Sequence, residues 1–212
     1  MRIGTELAPL EQSSVGFFDV LSNGASLANL HLTNVAVYGK LTGDWDRPFV
    51  GGLVGGSLGM GKNARIDHCS VAGGIVSAEG RQWAYGGGLT ASLYLDAYLT
   101  NSWTDVTVQV KSANGLCSAG GLVATNSNGT MIANCAALGG VTAISGYTTS
   151  SKVSASVGGL VGQGTGMFHN CYAAGNVALT MAITPDEPAV GSLIGQMSTS
   201  RSYNGIVTDC YY

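Results

Sequence analysis

Two short motifs alternate along this chain, and their alternation constrains its fold more than any other feature. The first is a glycine pair followed by apolar residues. It reads Val15-Gly16-Phe17-Phe18, Gly51-Gly52-Leu53-Val54, Gly87-Gly88-Leu89-Thr90, Gly120-Gly121-Leu122-Val123, Gly158-Gly159-Leu160-Val161 and Gly191-Ser192-Leu193-Ile194. Measured at the second position, the steps are 36, 36, 33, 38 and 33 residues. The second motif is an apolar residue, a spacer, an amide-like residue and a small one. It reads Leu32-Thr33-Asn34-Val35, Ile66-Asp67-His68-Cys69, Leu99-Thr100-Asn101-Ser102, Ile132-Ala133-Asn134-Cys135, Phe168-His169-Asn170-Cys171 and Val207-Thr208-Asp209-Cys210. Self-similarity at such a period marks a stacked-repeat architecture.

After the thiol position the chain alternates with period two, which places Cys69, Val71, Gly73 and Ile75 on one face. Cys135, Ala137, Gly139 and Val141 follow the same pattern, as do Cys171, Ala173, Gly175 and Val177. Alternation of this kind means strand, with the small apolar face inward. Each repeat then holds a short strand at the glycine motif, a longer strand through the thiol position, and a third short strand before the next copy. One such unit cannot bury its apolar face alone, and stacking buries it against its neighbours. The expected fold is all-β: a right-handed parallel β-helix, or solenoid, of about six coils with short turns and variable loops, because parallel crossovers favour that hand. With 33 glycines, only 4 prolines and 10% charged residues, the composition fits many tight turns and few helices. Residues 1–212 are read as a single solenoid domain, with 1–14 leading in and 15–212 carrying the repeats.

A net charge of −3 gives no electrostatic case for nucleic acid or an anionic membrane. No apolar run is long enough to span a bilayer. Met1-Arg2-Ile3-Gly4 lacks the apolar core of a signal peptide, which fits either a cytosolic protein or a segment of a larger one, and the stop in mid-motif at Cys210-Tyr211-Tyr212 favours the segment.

The glycine pairs are read as corners, where left-handed backbone angles and close coil packing are needed. No lysine or following helix makes them a phosphate cradle. Stacked in register, Asn34, His68, Asn101, Asn134, Asn170 and Asp209 would form a structural ladder at one corner, each amide donating and accepting. Cys69, Cys135, Cys171 and Cys210 occupy the next position, with Val35 and Ser102 in the other coils, and are read as free, small, buried residues. Cys117 is out of register and reads as a loop thiol. His68 with Asp67 is too small a set to hold a metal, no CxxC spacing exists, and no cofactor is called for.

The repeats resemble the GLUG-motif repeats of bacterial surface proteins. The resemblance rests on G-G-L-V-G at 51–55 and 158–162, on F-H-N-C-Y-A-A-G-N-V at 168–177, on I-D-H-C-S-V-A-G-G-I-V at 66–76, and on the lead-in F-F-D-V-L-S-N-G-A-S-L-A-N-L-H-L. It covers nearly the whole chain. It implies a secreted or cell-surface, extracellular location in an adhesin or in the non-catalytic part of an immunoglobulin A protease-like protein. The zinc-binding H-E-x-x-H of such proteases is absent, since His31, His68 and His169 stand alone. The third coil departs from the pattern at Leu89-Thr90-Ala91 and Ser102-Trp103, which puts its local regularity in question.

The expected function is a non-catalytic structural and adhesive module, a rigid stalk or ligand-presenting scaffold, and no catalytic residue is assigned. Its expected partners are a host or neighbouring-cell glycan or protein and the adjacent domains of the same chain. The alternative is a carbohydrate-active or carbohydrate-binding β-helix. A hydrolase would need paired carboxylates, for which Asp44, Asp46 and Glu79 are the candidates. A binding face would use Trp45 and Trp83 with Asp46, Arg47, Arg81 and Tyr85 around them. These residues lie in segments that vary in length between coils, as do Gly59 to Asn63, Thr125 to Gly129 and Thr184 to Pro188.

Overall fold

The computed structural model describes residues 1–22, 24–56, 63–127, 129–146, 155–182, 188–197 and 205–212. Two of the loops named above, Gly59 to Lys62 and Thr184 to Glu187, lie outside the described residues. The chain winds as a parallel β-solenoid of about five turns, without helix among the described residues. The coils build four sheets in the same order, and the inner strands of each sheet pair in parallel with their equivalents one coil above and below. The first sheet carries the long strands His31–Lys40, Ser70–Gly80 and Trp103–Ser112. The second carries Phe49–Gly51, Trp83–Gly87, Leu116–Gly120 and Ser156–Gly158. The third carries Thr90–Leu93, Val123–Asn126 and Val161–Gly164, and single bridges at Phe18, Val54 and Thr90 extend it toward the N-terminal end. The fourth carries Ser26–Ala28, Arg65–Asp67, Tyr98–Thr100, Met131–Ala133 and Met167–His169. Six levels of strands, separated by five steps, account for the six copies of the motifs.

The motifs span corners together with the strand ends on either side of them. The glycine motif turns the chain from the second sheet into the third: a short strand ends on its first glycine and the next begins at its fourth residue. None of the paired glycines has a positive φ. Their requirement is space. A Cβ on Gly51, Gly87, Gly120 or Gly158 would run into a carbonyl on the far side of the turn. A Cβ on Gly52, Gly121 or Gly159 would meet both a backbone carbonyl of the next coil and an inward side chain of the first sheet: Val71, Ala137 or Ala173. The leucine that follows points into the core. Leu53, Leu89, Leu122 and Leu160 are all fully buried, forming a column along the axis with Ile66, Leu99, Ile132 and Phe168 nearby in the same core.

The second motif turns the chain from the fourth sheet into the first. Here the left-handed conformation is real: φ lies near +50° at His68, Asn101, Asn134, Asn170 and Asp209. Asparagine accepts this conformation at low cost, whereas most residues do not. The long strand begins just after the thiol position rather than running through it.

Register corrects the first coil. Leu27 pairs with Ile66 and Ala28 with Asp67, so Asn29, with φ +57°, is the residue beneath His68. Asn34 lies five residues further on, beside Gly73, and both have positive φ. Two look-alike segments, Leu27-Ala28-Asn29-Leu30 and Leu32-Thr33-Asn34-Val35, compete for one pattern, and strand pairing selects the earlier. Asn34 and Gly73 belong to an irregularity in the long strands. Against Trp103–Ser112 the register shifts between Asp105 and Thr107, so the second coil carries one residue more there. That extra residue reverses the inward face, so Val76 is buried and Ile75 is not, contrary to simple alternation. The first glycine motif is likewise one position short: Val15 pairs with Val50, and Phe18 bridges Val54. The third coil is as regular as its neighbours, with Ser102 taking the thiol place.

Candidate functional site

The asparagine corner is closed on itself. Asn170 donates from Nδ2 to Asn134 Oδ1 at 2.8 Å, Asn134 to Asn101 at 3.0 Å, and Asn101 to the Asp67 carboxylate at 2.8 Å. The ladder therefore ends on Asp67, one position before His68, and passes His68 by. Asp67 also accepts from Thr100 Oγ1 at 2.6 Å and contacts His68 Nδ1 at 2.8 Å. The Thr100 hydroxyl above all, then His68 and Asn101, hold its carboxyl down to about 2. At the far end, Asp209 does not join the amide run; its carboxylate lies 3.5 Å from His169 Nδ1.

The thiols form the file beside this ladder. Cys69, Cys135, Cys171 and Cys210 each donate to the carbonyl two residues back, at 3.2 to 3.3 Å. Ser102 fills the gap, donating to Thr100 and accepting the Cys69 N–H at 3.0 Å. All five cysteines are free thiols. Burial drives the Cys135 thiol well above its ordinary value. Cys117 is not in a loop. It lies in the strand Leu116–Gly120, beside Ala84 and buried, and burial pushes its thiol up to about 12. Among the described residues no group of three His, Cys, Asp or Glu side chains is placed to hold a metal ion.

The opposite situation holds where the first sheet turns into the second. The connections there differ from coil to coil: residues 41–48 in one, only 81–82 in the next and 113–115 in the third. The long connection brings Trp45 against Trp83, with ring centroids 5.9 Å apart and planes tilted by 30°. Arg47 lies over the Trp83 ring, 4.7 Å from its centroid, where the ring's negative face attracts the guanidinium. Trp83 is thereby half-covered, while Trp45 is 80% exposed. Beside them Arg81 pairs with Asp44 at 2.9 Å.

Of the six residues expected at a binding face, Trp45, Trp83, Arg47 and Arg81 are brought together, and the other two, half-buried, make contacts of their own. Tyr85 lies flat on Phe49, with centroids 4.5 Å apart and planes within 4°, and burial raises its phenol. Asp46 is a turn residue whose Oδ2 accepts the Gly43 N–H at 3.0 Å. The remaining carboxylates considered for hydrolysis are also engaged: Asp44 with Arg81, and Glu79 with Lys40 at 3.0 Å and Lys111 at 3.8 Å.

Sequence reasoning missed what adjoins the indoles. Lys40, Glu79 and Lys111 align on three consecutive coils and face outward as an alternating column. Lys40 and Glu79 wall a depression of about 240 Å³ with Thr42, Arg81 and Asn114, and all three border a trough of about 290 Å³ on the outer face of the first sheet. The signal was present as three charges one repeat apart, but it needs the strand register to be read. No protein-family model, curated protein or solved structure matches this chain. What can be argued about its function therefore rests on the solenoid itself.

Proposed function

We propose that this chain is a non-catalytic structural and adhesive module of a secreted or cell-surface bacterial protein, a stiff spacer that presents one irregular edge to a host or neighbouring-cell glycan or protein. The observation that carries this reading is the continuity of the stack. All four sheets run through the coils in parallel register, and the core is one unbroken column of buried side chains. Such an object resists bending and offers length, since each coil is held by both neighbours. The engagement of Asp44, Asp46 and Glu79 in ion pairs and a turn supports the absence of hydrolysis, because a glycosidase needs two carboxyls free to exchange protons across a bond. The kinship with GLUG-motif repeats and the extracellular location belong to the same proposal, and the motif segments at 51–55, 66–76, 158–162 and 168–177 support them.

The test is incubation of the protein with acidic and neutral polysaccharides and with peptide substrates. No release of reducing ends or of new amino termini is expected. Steady turnover that depends on Asp46 or Glu79 would overturn the reading.

A further inference from the structure

The geometry points to a binding groove for a neutral, polyhydroxylated chain, an oligosaccharide, running from Trp45 across the Arg81–Asp44 pair and along the outer face of the first sheet. This deepens the proposal that the module presents a ligand-facing edge, and rests on it.

Three observations meet here. First, Trp45 is an apolar plate held in place. An indole 80% exposed to water is ordinarily a liability, but this one is backed by Trp83, itself fixed by Arg47. Its free surface offers the flat, weakly negative face on which sugar C–H groups stack, and its orientation is set before a ligand arrives.

Second, the trough is extended along the solenoid axis and built to hydrogen-bond. Tyr38, Ser77, Gln109 and Thr142 are aligned residues of four successive coils, all on the outward face. At about 4.8 Å per step they form a row of hydroxyls and an amide about 14 Å long. The depression lined by Thr42, Arg81 and Asn114 shares Lys40 and Glu79 with this row, which joins it to the indole end. The row contains both donors and acceptors, as a chain of hydroxyl groups requires.

Third, the charges select against charged ligands. Lys40 and Lys111 share Glu79, Arg81 faces Asp44, and Arg47 is laid over the Trp83 ring, while Glu6 adds one carboxylate to the trough. A polyanion would have to break these pairs or bind beside a carboxylate at each step, and a polycation would meet the converse problem. Neutral hydroxyls can instead accept from the cation and donate to the anion of one pair without separating them.

The test is calorimetric titration of the intact chain with short neutral oligosaccharides (cello-, xylo- and N-acetylglucosamine oligomers). A sulfated glycosaminoglycan fragment and a proline-rich peptide are titrated in parallel. Binding of at least one neutral series is expected. Trp45→Ala and, independently, Gln109→Ala should each weaken it by about tenfold with unchanged far-UV circular dichroism. No neutral binding, binding confined to the sulfated fragment or the peptide, or binding that survives both substitutions would overturn the inference. Assay of the same mixtures for reducing ends separates the two claims. Binding with turnover leaves the groove standing and sinks the non-catalytic reading. Neither binding nor turnover removes the groove and leaves that reading in place.

Discussion

The corner between the fourth and first sheets and the corner between the first and second sheets belong to the same coils but are built by different rules. At the former, the amides of three coils meet their own equivalents, Asn170 on Asn134 and Asn134 on Asn101, with a file of thiols alongside. At the latter, Trp45 meets Trp83, but Arg47 meets Trp83, Arg81 meets Asp44, and Glu79 meets two lysines, so most contacts run between unlike residues. The first corner satisfies its own hydrogen-bonding groups and has little left to offer a ligand. The second leaves an indole, hydroxyls and paired charges facing water. A solenoid can thus divide its labour by edge, one edge holding the coils together and the other free to vary in length and chemistry.

Substitutions can break this contrast, and the largest effect should come from the core that serves both edges. Leu122→Ala removes a fully buried side chain from the middle of the leucine column and should cost about 2–5 kcal/mol in denaturant unfolding. At the ladder, Asn134→Ala loses a donated and an accepted amide bond and forces alanine to φ +54°, a loss of about 1–3 kcal/mol. Asn134→Gly keeps the backbone conformation and should cost less than the alanine. Equal losses would mean that the conformation contributes nothing.

How much of this contrast could be read beforehand follows from the same rules. The self-repeating corner was legible because its residues must be alike to stack: an αL residue then a small one, written five times from His68 to Cys210. The register was misread in the first coil, where Asn29 and Asn34 both fit the pattern, and the ladder's ends were misread too, since Asp67 takes the place of His68 and Asp209 stays outside the amide run. The glycine pairs were legible as corners but not in their reason, since crowding by Val71, Ala137 and backbone carbonyls depends on the packed cross-section. Trp45 and Trp83 could be guessed as neighbours from their similar distances to a glycine pair. The Lys40, Glu79 and Lys111 column could not, because the intervening loops shift it out of any fixed period.

Acid sharpens the comparison further. The Asp67 carboxyl, held at about 2 in the fold, has an unfolded value near 3.8, so it stabilises the protein above that pH. That contribution should disappear as pH falls from about 4 through about 2. Melting temperatures of the native chain and of Asp67→Asn across this window should differ in slope, the variant being flatter. Smallest of all should be the effect of Trp45→Ala on stability. The side chain is mostly in water, and its removal should change unfolding free energy by about 0.5 kcal/mol or less, whatever it does to binding.

The register of the first two coils offers the most direct measurement. Tyr38 and Ser77 are paired residues on the outward face, so cysteines there would have Cα atoms about 4.8 Å apart, inside the range that a disulfide spans. Tyr38→Cys with Ser77→Cys should therefore cross-link on mild oxidation, as read by peptide mapping, whereas Tyr38→Cys with Ala72→Cys should not. Cross-linking of the second pair and not the first would place Asn34 under His68 and contradict the stacking described here.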